Sequence, residues 1–110
     1  MSEDPYAIKR GGPRISLVAA AQITVRAAGT PLNVRLSELS ARGCYIDTLN
    51  PFDVGTEVLV HISHNNTDCD VNGKIIYSHA GYGMGVVFLD VPLEQREMLD
   101  AWMAEGAASS

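Results

Sequence analysis

Six short stretches of alternating apolar and polar residues, each closed by turn-forming residues, constrain this chain most. Such a pattern folds as a small antiparallel sheet that has to close on itself or pair face to face. The stretches are Ile15 to Ala27, Leu32 to Leu39, Cys44 to Leu49, Thr56 to Ser63, Val71 to His79 and Met84 to Leu89. Between them stand Gly29-Thr30-Pro31, Ser40-Ala41-Arg42-Gly43, the NPFDVG segment ending at Gly55, the polar loop His64 to Cys69, and the glycine-rich turn Ala80 to Gly85. Gly73 is expected to mark a bulge inside the fifth strand. After Asp90 the period changes. Met98, Leu99, Trp102 and Met103 recur at spacings of three and four, which predicts an amphipathic helix from about Leu93 to Glu105, ended by Gly106. The expected architecture is therefore all-β, a barrel or sandwich of six antiparallel strands. Leu99 and Trp102 of its one C-terminal helix would cap an open end or cover an edge.

With 110 residues there is room for one core and one domain. Residues 1–8 are expected to be a flexible arm, residues 9–105 the folded domain, and residues 106–110 a disordered tail. No apolar run is long enough to cross a bilayer, and MSEDPYAIKR lacks the basic-then-apolar layout of a secretory signal, so the expectation is a cytoplasmic protein without membrane insertion. Cys44 and Cys69 fit no zinc or thioredoxin spacing and are expected as thiols.

Charge narrows the choice of ligand. The net charge of −5 argues against a broad DNA or RNA footprint, which needs a basic face. Residues 1–42 nevertheless carry six of the eight Lys and Arg against three acids. Cations gathered around the N-terminal segment and the first hairpins suit a small anionic ligand better than a polymer.

Enzymatic chemistry has little support. There is no GxSxG elbow, no P-loop and no GxGxxG opening a helix. His61 and His64, three apart on one strand, should face opposite ways, and with Asp68 or Cys69 they match no standard metal-ligand spacing. GYGMG lies between strands, so no helix N-terminus is available to make it a phosphate cradle.

The β-corner RLSELSARGCYIDT, Arg35 to Thr48, is richer. Within six residues it holds a carboxylate (Glu38), a hydroxyl (Ser40), a guanidinium (Arg42) and a position without a side chain (Gly43). Guanine offers N1 and N2 protons to a carboxylate, while its O6 and N7, like phosphate oxygens, accept from an arginine fork. Gly43 would let a base approach the strand closely. The same residues would also make an ordinary hairpin with a solvated rim.

Together with the upstream RGGPR, whose Arg10 and Arg14 have RxxxR spacing, the ELSARG corner (Glu38, Ser40, Gly43) resembles the two motifs of the PilZ domain family of cyclic di-GMP receptors. The closing GYGMGVVF and the helix EQREMLDAWM are similar to that family's last strand and terminal helix. The resemblance implies a six-stranded antiparallel barrel with a C-terminal helix, no catalytic activity and no cofactor. Cyclic di-GMP would be the ligand, and an unidentified protein effector the partner. It further implies that Arg10 and Arg14, on an arm mobile without ligand, clamp guanine and phosphate. Glu38 and Ser40 would meet the other guanine edge, Gly43 would give clearance, and Arg42, at a variable motif position, is an additional candidate for phosphate. The family prefers Asp or Asn where this chain has Glu38. An adaptor on the same barrel that binds no nucleotide is the second reading, and an OB-like single-strand binder a distant third. A homodimer is compatible with either of the first two.

Overall fold

The computed structural model describes residues 14–27 and 29–109. The elements are β1 (Arg14–Val25), β2 (Pro31–Ser40), β3 (Gly43–Asp47), β4 (Glu57–His64), β5 (Thr67–His79), β6 (Gly83–Leu89) and one helix, α1 (Leu93–Ser109). All neighbouring strands run antiparallel and close into a barrel in the order β1-β2-β3-β6-β5-β4. Of the two expected architectures, the barrel is the one formed.

Alternation does the work the sequence suggested. Ile23, Leu36, Ile46, Val58, Val60, Ile62, Val71, Ile75, Met84 and Val86 point inward and are sealed from solvent. A register shift between Ser16 and Ala19 in the β1–β2 ladder and two further bulges adjust the phase. One lies between Leu36 and Glu38 in the β2–β3 ladder, so Leu36 and Leu39, three apart, both reach the core, leaving Ser37 and Glu38 side by side on the rim. The other lies between Ile75 and Tyr77 in the β5–β6 ladder.

That second bulge corrects the expectation at Gly73, which pairs in regular register with Val58 and Phe88. Its missing side chain serves packing instead, since a Cβ there would come within 2.6 Å of Val86 Cγ1. The expected loop His64 to Cys69 is also shorter than the sequence suggested. Strand β5 starts at Thr67, and Asn65 and Asn66, at φ 52° and 61°, make a two-residue turn with both central residues left-handed. Such a turn matches the twist of the flanking strands, and asparagine tolerates the conformation. Cys69 consequently lies in β5 with its side chain buried. Likewise β6 begins at Gly83, so only Ala80, Gly81 and Tyr82 remain as turn.

Helix α1 crosses one end of the barrel, sealing Leu99 and Trp102 beneath it. Trp102 Nε1 donates to Thr67 Oγ1 at 3.2 Å, and Asn65 Nδ2 donates to Glu105 Oε1 at 3.1 Å, fixing the helix to the β4–β5 hairpin. The helix does not stop at Gly106 but continues to Ser109, through residues expected in a disordered tail. Gly106 is in the helix because a Cβ there would collide with the Ile15 side chain; its absence lets the helix lie against β1.

Candidate functional site

The first shared feature of the expected site is its turn. Ser40 Oγ accepts from the backbone N–H of Arg42 at 3.3 Å and of Gly43 at 3.2 Å, and lies 3.3 Å from the Gly43 carbonyl, to which it can donate. Ser40 is buried, so its hydroxyl builds the corner from within. Gly43 is required for a different reason. Any Cβ would fall inside the Val86 carbonyl oxygen on the adjacent β6. The corner is further clasped by the helix, for Arg96 Nη1 donates to the Ala41 carbonyl at 2.7 Å. The Arg42 carbonyl accepts from Phe88 N at 2.8 Å, and the residue is exposed.

Arg14 is the first residue of β1, directly opposite Ser40, and so belongs to the ladder; it was expected on a mobile arm. Its Nη1 donates to Glu38 Oε1 at 3.1 Å. Two motifs separated by 24 residues thus meet in one ion pair. Arg10, like the whole segment 1–13, lies outside the described residues.

Beside the pair is an open concavity of about 350 Å³, lined by Arg14, Ser37, Glu38, Tyr45, Asp47, Tyr77 and His79. Ser40, Arg42 and Gly43 do not line it. Its floor follows from register. Ser16 faces Glu38, Glu38 faces Tyr45, Tyr45 faces Gly85 and Gly85 faces Tyr77, a continuous row across five strands. In the next row Arg35 faces Asp47, Asp47 faces Gly83 and Gly83 faces His79. Arg35 Nε and Nη2 both donate to Asp47 Oδ2, at 3.0 and 2.9 Å, and Ser37 Oγ donates to Asp47 Oδ1 at 2.9 Å. This carboxylate is therefore held from both oxygens. A larger hollow of about 600 Å³ lies between β1 and α1, lined by Ile15, Leu17, His64, Trp102 and Glu105 among others, and Arg14 lines this one too.

Sequence reasoning missed Tyr45, Asp47, Tyr77 and His79. The glycines of GYGMG were the available signal. Gly83 and Gly85 alternate with inward-facing Met84 and Val86, and glycine on an outer face often marks the close approach of another group. Here that group is the tyrosine pair, whose identity depends on register.

The two histidines behave as their spacing predicted. His61 turns to Asp70 and Asp68, whereas His64 turns to Glu105 and meets Trp102 edge-on, ring centres 5.4 Å apart. Among the described residues, no three His, Cys, Asp or Glu side chains come together in a way that would hold a metal. Burial pushes the Cys44 thiol up to about 12, and burial with the Asp70 charge, partly offset by Arg96, pushes Cys69 up to about 11. Both are free thiols enclosed in the core, remote in character from a reactive thiolate.

A closed six-stranded antiparallel barrel with a helix over one end, bearing an arginine–carboxylate pair beside a concavity on its outer face, defines the class of molecule. The chain belongs to the PilZ domain family, whose model matches residues 8–105. No curated protein sequence matches it. Among solved structures it is similar to the Bacillus subtilis inhibitor of motility MotI (DgrA), with TM-score 0.76 and 11% identity over 88% of this chain and 50% of that one. It is also similar to the PilZ domain of Escherichia coli YcgR with c-di-GMP, with TM-score 0.75 and 18% identity over 92% and 93%. A third is Borreliella burgdorferi PlzA in complex with c-di-GMP, with TM-score 0.62 and 16% identity over 87% and 41%. The chain thus spans half of the MotI chain and less than half of the PlzA chain. No helix among the described residues is long and apolar enough to cross a membrane.

Proposed function

We propose that this chain is a non-enzymatic receptor for cyclic di-GMP. The observation that carries the reading is the 3.1 Å contact between Arg14 and Glu38 at the edge of the concavity. It brings together the two residue types a guanine base and its phosphate require, a carboxylate for N1–H and N2–H and a guanidinium for O6, N7 or phosphate oxygen. Family membership, and the c-di-GMP named for the YcgR and PlzA structures, support the same ligand.

In this reading Glu38 accepts from the guanine edge and Arg14 exchanges its carboxylate partner for ligand. Arg10 supplies a second guanidinium, and segment 1–13 is repositioned over the sheet. Ser40 and Gly43 hold the corner in shape from within, and Arg42, which is exposed, is available to a phosphate. The repositioned segment presents a changed surface to a protein effector, which is how the signal leaves the domain.

Calorimetry with cyclic di-GMP tests the proposal, with GTP and cyclic di-AMP as controls. Saturable binding of cyclic di-GMP that is lost in Arg10→Ala and in Arg14→Ala is expected. The second reading, an adaptor without nucleotide, is favoured by one observation, that Glu38 is already satisfied by Arg14. Absence of heat at high micromolar ligand would establish it over the first.

A further inference from the structure

Tyr45 and Tyr77 flank Gly85 from either side in the same cross-strand row, and neither is explained by the arginine–carboxylate chemistry above. The rings lie down over the sheet. A Cβ on Gly83 would come within 2.6 Å of Tyr45 Cε2, and one on Gly85 within 2.9 Å of Tyr77 Cε2. The two ring centres are 6.1 Å apart at 41°, and His79 continues the surface, 4.8 Å from Tyr77 and 3.5 Å from the Tyr45 hydroxyl through Nδ1. Three rings thus tile the outer face of β3, β6 and β5, and all three line the open concavity alongside Arg14 and Glu38.

We propose that Tyr45 and Tyr77 form a stacking floor for a purine base, so that the site reads the face of the base as well as its edge. The inference rests on the receptor reading above and extends it to two residues outside both sequence motifs. Its geometric basis is the register. Glu38 stands directly opposite Tyr45, and side chains so placed on adjacent strands are about 5 Å apart, the spacing at which side chains on neighbouring strands touch. A purine held by its edge at Glu38 therefore extends over Tyr45 toward Tyr77. Gly83 and Gly85 are what allow the rings to lie low enough to leave that space.

The test compares wild type with Tyr77→Leu, Tyr45→Leu and Tyr77→Phe, using cyclic di-GMP in calorimetry and following the guanine H8 resonance by NMR. Leucine keeps apolar bulk over the glycine and removes the π face; phenylalanine keeps the face. Each leucine variant is expected to weaken binding about tenfold, and Tyr77→Phe to stay within about twofold of wild type. The guanine H8 signal should move upfield on binding to wild type and to Tyr77→Phe. Binding by wild type that is unchanged in both leucine variants, or an H8 signal that does not move in wild type, overturns the stacking floor and leaves the receptor reading standing. Failure of wild type to bind overturns both. The H8 shift in wild type decides the matter even if a leucine variant does not fold.

Discussion

Arg14 reaches Glu38 diagonally across the β1–β2 ladder, where its own opposite residue is Ser40 and that of Glu38 is Ser16. The bond is made by the terminal carboxylate of the glutamate, and an aspartate at the same position is shorter by one methylene. Glu38→Asp should therefore give up the contact with Arg14 and leave the carboxylate available to ligand. Affinity for cyclic di-GMP is expected to be equal or higher in calorimetry. Because the pair is about a third exposed, its loss should cost no more than about 1 kcal/mol in urea denaturation.

Ser40→Ala removes the hydroxyl that serves two turn N–H groups. The buried Gly43 donor and the part-buried Arg42 donor would lose their partner, at a cost of about 1–3 kcal/mol. The urea midpoint should fall accordingly, while far-UV circular dichroism keeps its strand signature, because the corner lies at the end of a ladder and not within it.

Gly43→Ala should be worse than Ser40→Ala. The added methyl has no flexible neighbour to displace, since it meets the Val86 carbonyl of β6. Separation of β3 from β6 in a closed barrel disturbs every other ladder, and a loss of about 3 kcal/mol is expected, read from the same unfolding curves.

Trp102→Ala opens a cavity under α1 and removes the Nε1 bond to Thr67. A loss of about 3–5 kcal/mol is expected. As the chain's one tryptophan, it should emit at short wavelength when folded and shift red on unfolding, which gives the assay its signal.

The two thiols predict a pH limit. In the folded chain they titrate at about 12 and about 11, against 9.0 when exposed, so folding favours their neutral forms. Their contribution is complete below pH 9 and is lost as the pH rises from there through the folded values, because the unfolded chain ionises first. Urea midpoints should fall between pH 9 and pH 10.5, and fall less in Cys44→Ala. At pH 8 a thiol reagent should label neither cysteine until the protein is unfolded.

Much of the fold was legible because burial on one face leaves a period-two trace, as in Thr56 to Ser63, and a change to a spacing of three and four marks the helix. The misses share a cause. HNNTDC reads as a polar loop because Asp68 and Asp70, which face solvent, surround the inward Cys69, and because a two-residue turn of asparagines resembles any polar stretch. The bulge in β5 is invisible because nothing in Ile75-Ile76-Tyr77 announces where β6 will skip a partner. Gly106 looks like a stop signal locally and is a packing residue only once Ile15 is beside it. Of the motif residues, Arg14, Glu38, Ser40 and Gly43 were legible from local spacing, and of these Arg14 and Glu38 line the concavity. Tyr45 and Tyr77 were not legible, since they become neighbours only through a strand 40 residues after the first of them, Gly85.

Closure of the barrel limits how such a domain can recruit anything larger than a nucleotide. With β4 hydrogen-bonded back to β1 over Ala20 to Val25, no strand among the described residues is an open edge along its whole length. A protein partner would therefore meet mainly side chains, whose substitution can rewrite specificity without touching the ladder that keeps the domain folded.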